Sequence, residues 1–297
     1  MTFLPVYRFD RQLLEIPGRM SGRIEHVYRN TAVVGCGADE PLLAFLRPGS
    51  ALVPCGIEFP WKAMQPRSGM TVAFQDRSLR IGDLRPVVLK LSGQGKSLRP
   101  AALGSGWSAD ALGEKLSMLR LPARSQALLG LLQGASRQER RVMAQAVPGL
   151  KRLTSKLRDG SRSAAVYREL VDGLAGLGPG STPTGDDILA GVAALAWRLA
   201  SAGTLSARSM EEFRAALGRL APGVTTRTGR EMLAHAARGA FYENLLGFAD
   251  VLGQSEADQA RVNAVAGRLG RTGGRSGCDM LAGVVSLAGA VAKGGRA

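Results

Sequence analysis

Thr184-Gly185-Asp186-Asp187-Ile188-Leu189-Ala190-Gly191-Val192 returns later in the chain as Ser276-Gly277-Cys278-Asp279-Met280-Leu281-Ala282-Gly283-Val284. A hydroxyl, Gly, Asp, Leu, Ala, Gly and Val keep their places in both copies. Each copy follows a glycine-rich run, Gly178-Pro179-Gly180-Ser181-Thr182-Pro183 and Gly270-Arg271-Thr272-Gly273-Gly274-Arg275. Each leads into an apolar, Ala/Gly-rich segment of helical length. The second part of the chain is therefore expected to be helical and to carry a paired loop–helix repeat.

Such a unit has a direct physical reading. A helix start leaves backbone N–H groups without intrahelical partners, and the helix dipole places partial positive charge there. Glycines let the loop bend sharply, hydroxyls add donors, and Pro183 suits a first helical turn because its missing N–H is no loss. Together these make an anion site. The expected binding residues are Gly178, Gly180, Ser181, Thr182, Thr184 and Gly185 in the first copy, with Ser276, Gly277 and Cys278 in the second. One aspartate per helix would be an ordinary first-turn carboxylate. The adjacent pair Asp186 and Asp187 fits that role less well, since neighbouring side chains point in different directions. Asp187, Asp279 and Asp186 are thus the candidates for proton transfer, for holding an –NH₂ group, or for placing Mg²⁺ beside a phosphate at Asp186 and Asp187. Ala190, Gly191, Ala282 and Gly283 read as packing residues that let the two helices approach and bring their starts together.

A third loop, Gly223-Val224-Thr225-Thr226-Arg227-Thr228-Gly229, has related chemistry. Thr225, Thr226 and Thr228 offer hydroxyls, and Arg227 can bind a phosphate or carboxylate bidentately. A plain Thr-capped helix start accounts for the same residues. Glu231 and His235 follow at i, i+4 spacing, which reads first as a surface pair. Cys278 is the one thiol in a candidate site, but no histidine lies near it in sequence to activate it.

Outward from these loops, the chain changes character near Gly104. Before it, Thr31–Cys36, Leu42–Leu46, Ala51–Pro54, Thr71–Phe74, Leu79–Ile81 and Val87–Leu91 are short Val/Leu/Ile segments broken by Gly and Pro, as strands of a small sheet or barrel are. After it, helices are expected from Ala109 behind a Ser108 cap, and over Arg137–Ala146, Ser163–Leu174, Asp186–Ser201, Ala207–Leu220, Gly229–Leu252, Glu256–Leu269 and Asp279–Lys293. The fold class is α+β: a β-rich N-terminal domain over 1–104, a link within Gly93–Gly106, and a mainly α-helical domain over 105–297.

The composition bounds the function. Of 297 residues, 45% are hydrophobic and 21% charged, which is enough apolar matter for a buried core. The apolar stretches Ile188–Trp197 and Met280–Ala292 fall short of the ~20 residues that span a bilayer. Met1–Asp10 has no basic segment leading into an apolar run, so a cytoplasmic protein without membrane association is expected. Cys36, Cys55 and Cys278 lack CxxC spacing, and with only His26 and His235 beside them a structural zinc site is not expected, nor is any certain cofactor. The net charge of +15 raises nucleic acid as a partner. The arginines are scattered, however, and the Arg137–Arg168 run is not interleaved with aromatics that would stack bases. A basic chain also attracts anionic metabolites, and a small anionic ligand is the partner expected.

The run Leu177-Gly178-Pro179-Gly180-Ser181-Thr182-Pro183-Thr184-Gly185-Asp186-Asp187-Ile188-Leu189-Ala190-Gly191 resembles the signature of the AllH-like proteins, and the likeness extends to Thr225–Thr228 and Ser276–Gly283. Ser181 stands where a larger apolar residue is expected, and Cys278 where a hydroxyl or small residue is common. That family includes a subunit of oxamate carbamoyltransferase, which moves a carbamoyl group between oxamate and phosphate. The resemblance implies a transferase role in a complex with other subunits, acting on carbamoyl phosphate, phosphate or an oxamate-like acid amide. On that reading Gly178–Thr184 and Thr225–Thr228 hold the phosphate or carboxylate, and Asp187 and Asp279 orient the amide nitrogen. Two rivals stand beside it. One is a non-catalytic, anion-binding accessory subunit. The other is a ribokinase-like phosphotransferase, faintly echoed by Gly185-Asp186-Asp187, although no strand–helix alternation supports a parallel sheet.

Overall fold

The computed structural model describes residues 2–16, 18–37, 40–83, 86–103, 107–128 and 137–294. The chain forms two compact units, Met1–Leu98 and Arg99–Ala297. The change of character placed at Gly104 lies outside the described residues.

The first unit is a single nine-stranded sheet. Its strands are β1 (Thr2–Leu4), β2 (Arg8–Phe9), β3 (Met20–Val27), β4 (Thr31–Gly35), β5 (Leu43–Leu46), β6 (Gly56–Glu58), β7 (Thr71–Gln75), β8 (Ser78–Ile81) and β9 (Val87–Lys90), with a four-residue helix α1 (Trp61–Met64) after β6. They lie in the order β1-β9-β8-β7-β3-β4-β5-β6-β2. All neighbours are antiparallel except β1 with β9 and β5 with β6. Beyond β9, Lys96 donates to Phe9 O at 2.8 Å and accepts from Arg11 N–H at 2.9 Å, so the chain leaving one end of the sheet returns to β2 and the sheet curls. Its concave face is apolar. Ile24, Val34, Leu43, Phe45, Ile57, Phe59, Leu79 and Leu89 are buried together, with Phe45 and Phe59 edge to face at 5.4 Å. The tight β7–β8 hairpin turns on Asp76 and Arg77, both at positive φ (49° and 59°), the geometry whose twist matches that of paired strands.

Ala51–Pro54 corrects the sequence expectation. It is not a strand; pairing begins only at Gly56. Pro54 has no N–H to give a ladder, and Cys55 sits at φ 55° with its N–H donated to Asp10 Oδ2 at 2.8 Å. The strands β1, β2, β3 and β6 were not anticipated.

Among the described residues the second unit contains no sheet. Its helices are α2 (Ala111–Met118), α3 (Ala123–Leu128), α4 (Arg137–Arg158), α5 (Ala164–Asp172), α6 (Thr184–Ser201), α7 (Ala207–Gly218), α8 (Arg227–Ala237), α9 (Glu243–Leu252), α10 (Gln259–Gly270) and α11 (Ser276–Gly294). The fold class is α+β. Two further corrections concern the helices. Ser108 caps no helix; its Oγ accepts from Asp110 N–H at 3.1 Å in the turn before α2. The single helix expected over Gly229–Leu252 is two. It breaks at Gly239 (φ 78°), where a Cβ would lie 2.9 Å from the Trp197 ring, and Ala240 N–H closes back on His235 O at 2.9 Å.

The helices α6 and α11 form the centre of this unit. A Cβ on Gly191 would lie 2.1 Å from Met280 O, and one on Gly283 would lie 2.2 Å from Ile188 O, so the two backbones touch. Each glycine meets the residue three before its counterpart, as a local two-fold relation between the copies requires. The apolar residues of Met280–Ala292 belong to a 19-residue helix, long and apolar enough by length and composition to cross a membrane. Here Met280, Leu281, Ala282, Val284, Leu287 and Ala288 are buried, and the helix carries a paired carboxylate in its first turn. Arg198, buried on α6, forms an ion pair with Asp250 on α9.

Candidate functional site

The starts of α6 and α11 lie side by side. Thr182 Oγ1, in the loop before α6, is 3.0 Å from Ser276 Oγ, the first residue of α11. Thr182 also donates to Asp187 Oδ2 at 3.4 Å, and Ser276 hydrogen-bonds to the same carboxyl. The start of α8 joins through the same loop: Thr226 Oγ1 donates to Ser181 O at 2.5 Å, while the α8 start is capped by Thr226 accepting from Gly229 N–H at 2.9 Å. Three helix starts thus converge on the segment 176–182.

Three buried aspartates stand there, at 0% (Asp186), 1% (Asp187) and 1% (Asp279) exposure, and their environments differ. Asp186 Oδ1 accepts from Gly176 N–H at 2.8 Å, and Oδ2 accepts a short bond from Thr225 Oγ1. A Cβ on Gly229 would collide with that Oδ2, so α8 packs directly on this carboxyl. Asp186 therefore ties the loops before α6 and α8 together. Asp279 is gripped by Arg124 of α3, with Nε to Oδ1 at 2.6 Å and Nη2 to Oδ2 at 2.9 Å; the same Nη2 donates to Thr184 Oγ1 at 3.1 Å. Asp187 has Oδ2 in contact with hydroxyls and Oδ1 buried without a hydrogen-bond partner.

These surroundings set the protonation states. Burial raises Asp186, against the Thr225 and Gly176 hydrogen bonds. Burial also raises Asp279, against the pull of Arg124. Asp187 is raised well above the carboxylate range by burial, and the charges of Asp279 and Asp186 add to the shift. Tyr242, just before α9, is pushed up by burial, with a contribution from the charge of Asp187. Burial likewise raises the Cys278 thiol, the opposite of activation; its Sγ donates to Gly270 O at 3.5 Å.

The expected residues fall into two groups. Thr182, Thr184, Ser276, Asp187 and Asp279 form one connected cluster. Gly178 (φ 104°) and Gly180 (φ 118°) shape the bend above it, with Gly178 packed on Thr184. Thr225 and Asp186 belong to the adjoining tie. Arg227 and Thr228 sit in the first turn of α8, half-buried. Glu231 and His235 pair at 3.3 Å along α8; burial raises Glu231, but His235, Arg238 and Arg227 together draw it down.

The amides of residues 185–187 and 277–279 are taken up within the chain. Gly185 N–H donates to Leu177 O at 2.9 Å and Gly277 N–H to Thr272 O at 3.0 Å, while the N–H groups of Asp186 and Asp187 turn onto Pro183 O and those of Cys278 and Asp279 onto Arg275 O. A Cβ on Gly185 would lie 1.7 Å from Leu174 O, and one on Gly277 would lie 1.8 Å from Leu269 O. These two glycines exist so that each loop can fold over its own helix start. The junction also presents side chains: the Thr182 and Ser276 hydroxyls, beside the Arg124 guanidinium.

Arg124, Ser125 (which donates to Cys278 O at 2.8 Å) and Tyr242 were not anticipated. The one local signal was Pro122 opening a short helix after Leu121, and it says nothing of a carboxylate partner far along the chain. Among the described residues no cluster of three or more His, Cys, Asp or Glu side chains could hold a metal. Asp186 and Asp187 face different partners, so they do not form a shared Mg²⁺ seat.

Comparison with known proteins adds one finding. Residues 174–288, the segment holding all three converging loops, match the family described as oxamate carbamoyltransferase subunit AllH. Neither curated proteins nor solved structures give a match. The likeness to that family rests on this segment, which holds the residues that build the paired helix starts.

Proposed function

We propose that this chain is the AllH-like subunit of a carbamoyltransferase-type complex, and that it binds a small acid amide or carbamoyl phosphate where the starts of α6 and α11 meet. The observation that carries the reading is Asp187 Oδ1, a buried carboxyl oxygen left without a partner among hydroxyls at that junction. A native interior rarely leaves such an atom bare, because an unmade hydrogen bond costs about 1–3 kcal/mol. A ligand group with matching polarity supplies the missing bond. Carbamoyl phosphate and oxamate both combine an anionic end with an adjacent carbonyl and –NH₂. The Thr182 and Ser276 hydroxyls suit the oxygens, and Asp187 suits the carbonyl–amide part. The nearby Arg124–Asp279 pair fixes the local charge. The other subunits of the complex are the partners this reading requires, with a cytoplasmic location and no membrane or nucleic-acid role.

Thermal shift with carbamoyl phosphate, oxamate and inorganic phosphate in parallel tests the binding, and carbamoyl transfer by the reconstituted complex tests the role. Stabilisation by at least one of the three ligands, with transfer that depends on this chain, is expected. No stabilisation by any of them, together with full transfer by the partners alone, removes the reading. An accessory role also has a specific observation behind it: both oxygens of Asp186 and both of Asp279 are already engaged within the chain. Ligand stabilisation without any effect of site variants on turnover would favour that role.

A further inference from the structure

Phe3 and Tyr7 are exposed aromatics of the β unit, but nothing shows what covers them. Trp107 Nε1 and Gln254 Oε1 are buried without partners where residues 107 and 254 form a bridge, yet no polar cluster surrounds them. The strongest observation lies in the asymmetry of the three aspartates.

We propose that Asp187 is the proton carrier of the transfer reaction, delivering a proton from Oδ1 to the leaving nitrogen and taking one back from the attacking phosphate. This inference rests on the carbamoyl-transfer reading above and adds the identity of the group that moves the proton. Three carboxyl groups are buried around one junction, and Arg124 bonds both oxygens of Asp279. Asp186 is compensated by two donors on separate oxygens. Asp187 has hydroxyl contacts on Oδ2 alone, and an ionised form would bury a bare anionic oxygen beside two other carboxyls. Neutralisation relieves this, and it places the proton on the oxygen that no protein group occupies. Every titratable neighbour acts in the same sense or is itself paired: Asp186 on the same helix, Asp279 on α11 held by Arg124 of α3, and Tyr242 before α9, while Thr182 and Ser276 contribute only hydroxyls.

The chemistry balances around this group. With an N-carbamoyl acid amide as donor, an oxygen of HPO₄²⁻ attacks the carbamoyl carbon and forms the O–C bond. The C–N bond breaks, and its electron pair goes to nitrogen, which takes the Asp187 proton and leaves as the neutral amide. The Asp187 carboxylate then takes the remaining phosphate proton, giving carbamoyl phosphate dianion and restoring the acid. No outside acid, base or oxidant enters. Two neighbouring carboxyls held in unlike surroundings, one by a guanidinium and one by hydroxyls, are a recurrent sign of such a division of labour. Asp279, pinned by Arg124, is the positioning partner.

The experiment follows phosphorolysis of N-carbamoyl oxamate by the reconstituted complex across pH, with wild type and Asp187→Asn, while phosphate-induced thermal shift reports binding. Because the acid form does the work, wild-type kcat is expected to hold at low pH and fall as pH rises through the Asp187 titration. D187N is expected to lose at least about 100-fold in kcat, the scale of positioned proton transfer, with the falling limb gone and the phosphate shift retained. Turnover of D187N within fivefold of wild type at every pH overturns the proposal and leaves the carbamoyl-transfer reading standing. A low kcat that keeps the same falling limb also overturns it, since another group is then titrating. Absence of both phosphate binding and wild-type turnover overturns the functional reading itself. Should D187N fail to fold, the wild-type pH profile decides alone, and a kcat that does not fall with rising pH sinks the proposal.

Discussion

The first turns of α6 and α11 come from nearly the same residues, yet they have been given opposite surroundings. At the α11 start, Asp279 has a guanidinium on both oxygens; at the α6 start, the equivalent Asp187 has hydroxyls on one oxygen and nothing on the other. The neighbouring position differs as well, being Asp186 in one copy and Cys278 in the other. A duplicated scaffold gives shape twice, through Gly191 and Gly283, and leaves chemistry to whatever third element reaches each copy. For α11 that element is α3 with Arg124; no such element reaches Asp187 on α6, which has only the hydroxyls of its own preceding loop (Thr182) and of the α11 start (Ser276). The lesson is that repeat symmetry locates a site but does not assign roles within it.

The shared scaffold is the place to break both copies at once. Gly191→Leu and Gly283→Leu each force a side chain into the partner helix's backbone, with Cβ already at 2.1 and 2.2 Å from a carbonyl oxygen. Backbone cannot yield as a side-chain tip can, so each should destabilise by more than about 4 kcal/mol, the exceptional end of single substitutions, read from urea midpoints. If the two-fold relation holds, the losses agree within about 1 kcal/mol. A severe loss at one glycine alone would dissolve the symmetry.

Next in size is Arg124→Ala, which strips the cation from Asp279. Removing one partner of a buried pair costs about 3 kcal/mol or more. Burial already raises Asp279, and losing Arg124 raises it further. A carboxyl raised in the folded state contributes its full stability below the unfolded value of 3.8 and loses it as pH rises through the folded value. The variant's deficit should therefore shrink in acid and grow toward neutrality. A pH-independent deficit would mean that Arg124 only packs. Thr225→Val tests the tie beside the junction by leaving Asp186 Oδ2 unsatisfied, at about 1–3 kcal/mol in chemical denaturation.

Asp187→Asn sharpens the contrast between copies with a smaller effect. Its folded state is shifted upward from 3.8, so one proton is bound more tightly in the native form. Wild-type stability should fall with pH by up to about 1.4 kcal/mol per unit between the unfolded and folded values. D187N should lack that slope, seen in denaturant midpoints over a pH series. Identical slopes in the two proteins would place the titration elsewhere.

How much of this could be read beforehand follows the same division. The helical repeat was legible because it lies in local spacing, and five of the six expected strands because Val/Leu/Ile runs sit between turn residues. β3 was not: in Met20-Ser21-Gly22-Arg23-Ile24-Glu25-His26-Val27 the inward positions Met20, Gly22 and Ile24 alternate with Ser21 and Arg23, but the middle one is a glycine with no apolar side chain to mark it, and the register shifts between Ile24 and His26. Thr182, Thr184, Ser276, Asp187 and Asp279 were found from the echo alone. Arg124 was not, because a salt bridge between α3 and α11 leaves no local trace. The engagement of the Gly185 and Gly277 amides was missed for a related reason: Leu177 and Thr272 supply carbonyls through loop geometry that residue identity does not encode.

The smallest effect concerns the one position where the copies differ in kind. Asp186 meets a loop that offers it an N–H, from Gly176, whereas Cys278 meets a loop that presents a carbonyl, Gly270 O. An acceptor suits the first and a donor the second, so aspartate could not be repeated at 278 without setting a carboxylate against a carbonyl. Serine keeps the donor and is close in size, and Cys278→Ser should change stability by less than about 1 kcal/mol. The wild-type thiol, raised by burial, should also alkylate more slowly than a free cysteine near neutral pH. Fast, selective alkylation at Cys278, followed by peptide mass spectrometry, would show the second copy to hold reactive chemistry of its own and would undo the division drawn between the two starts.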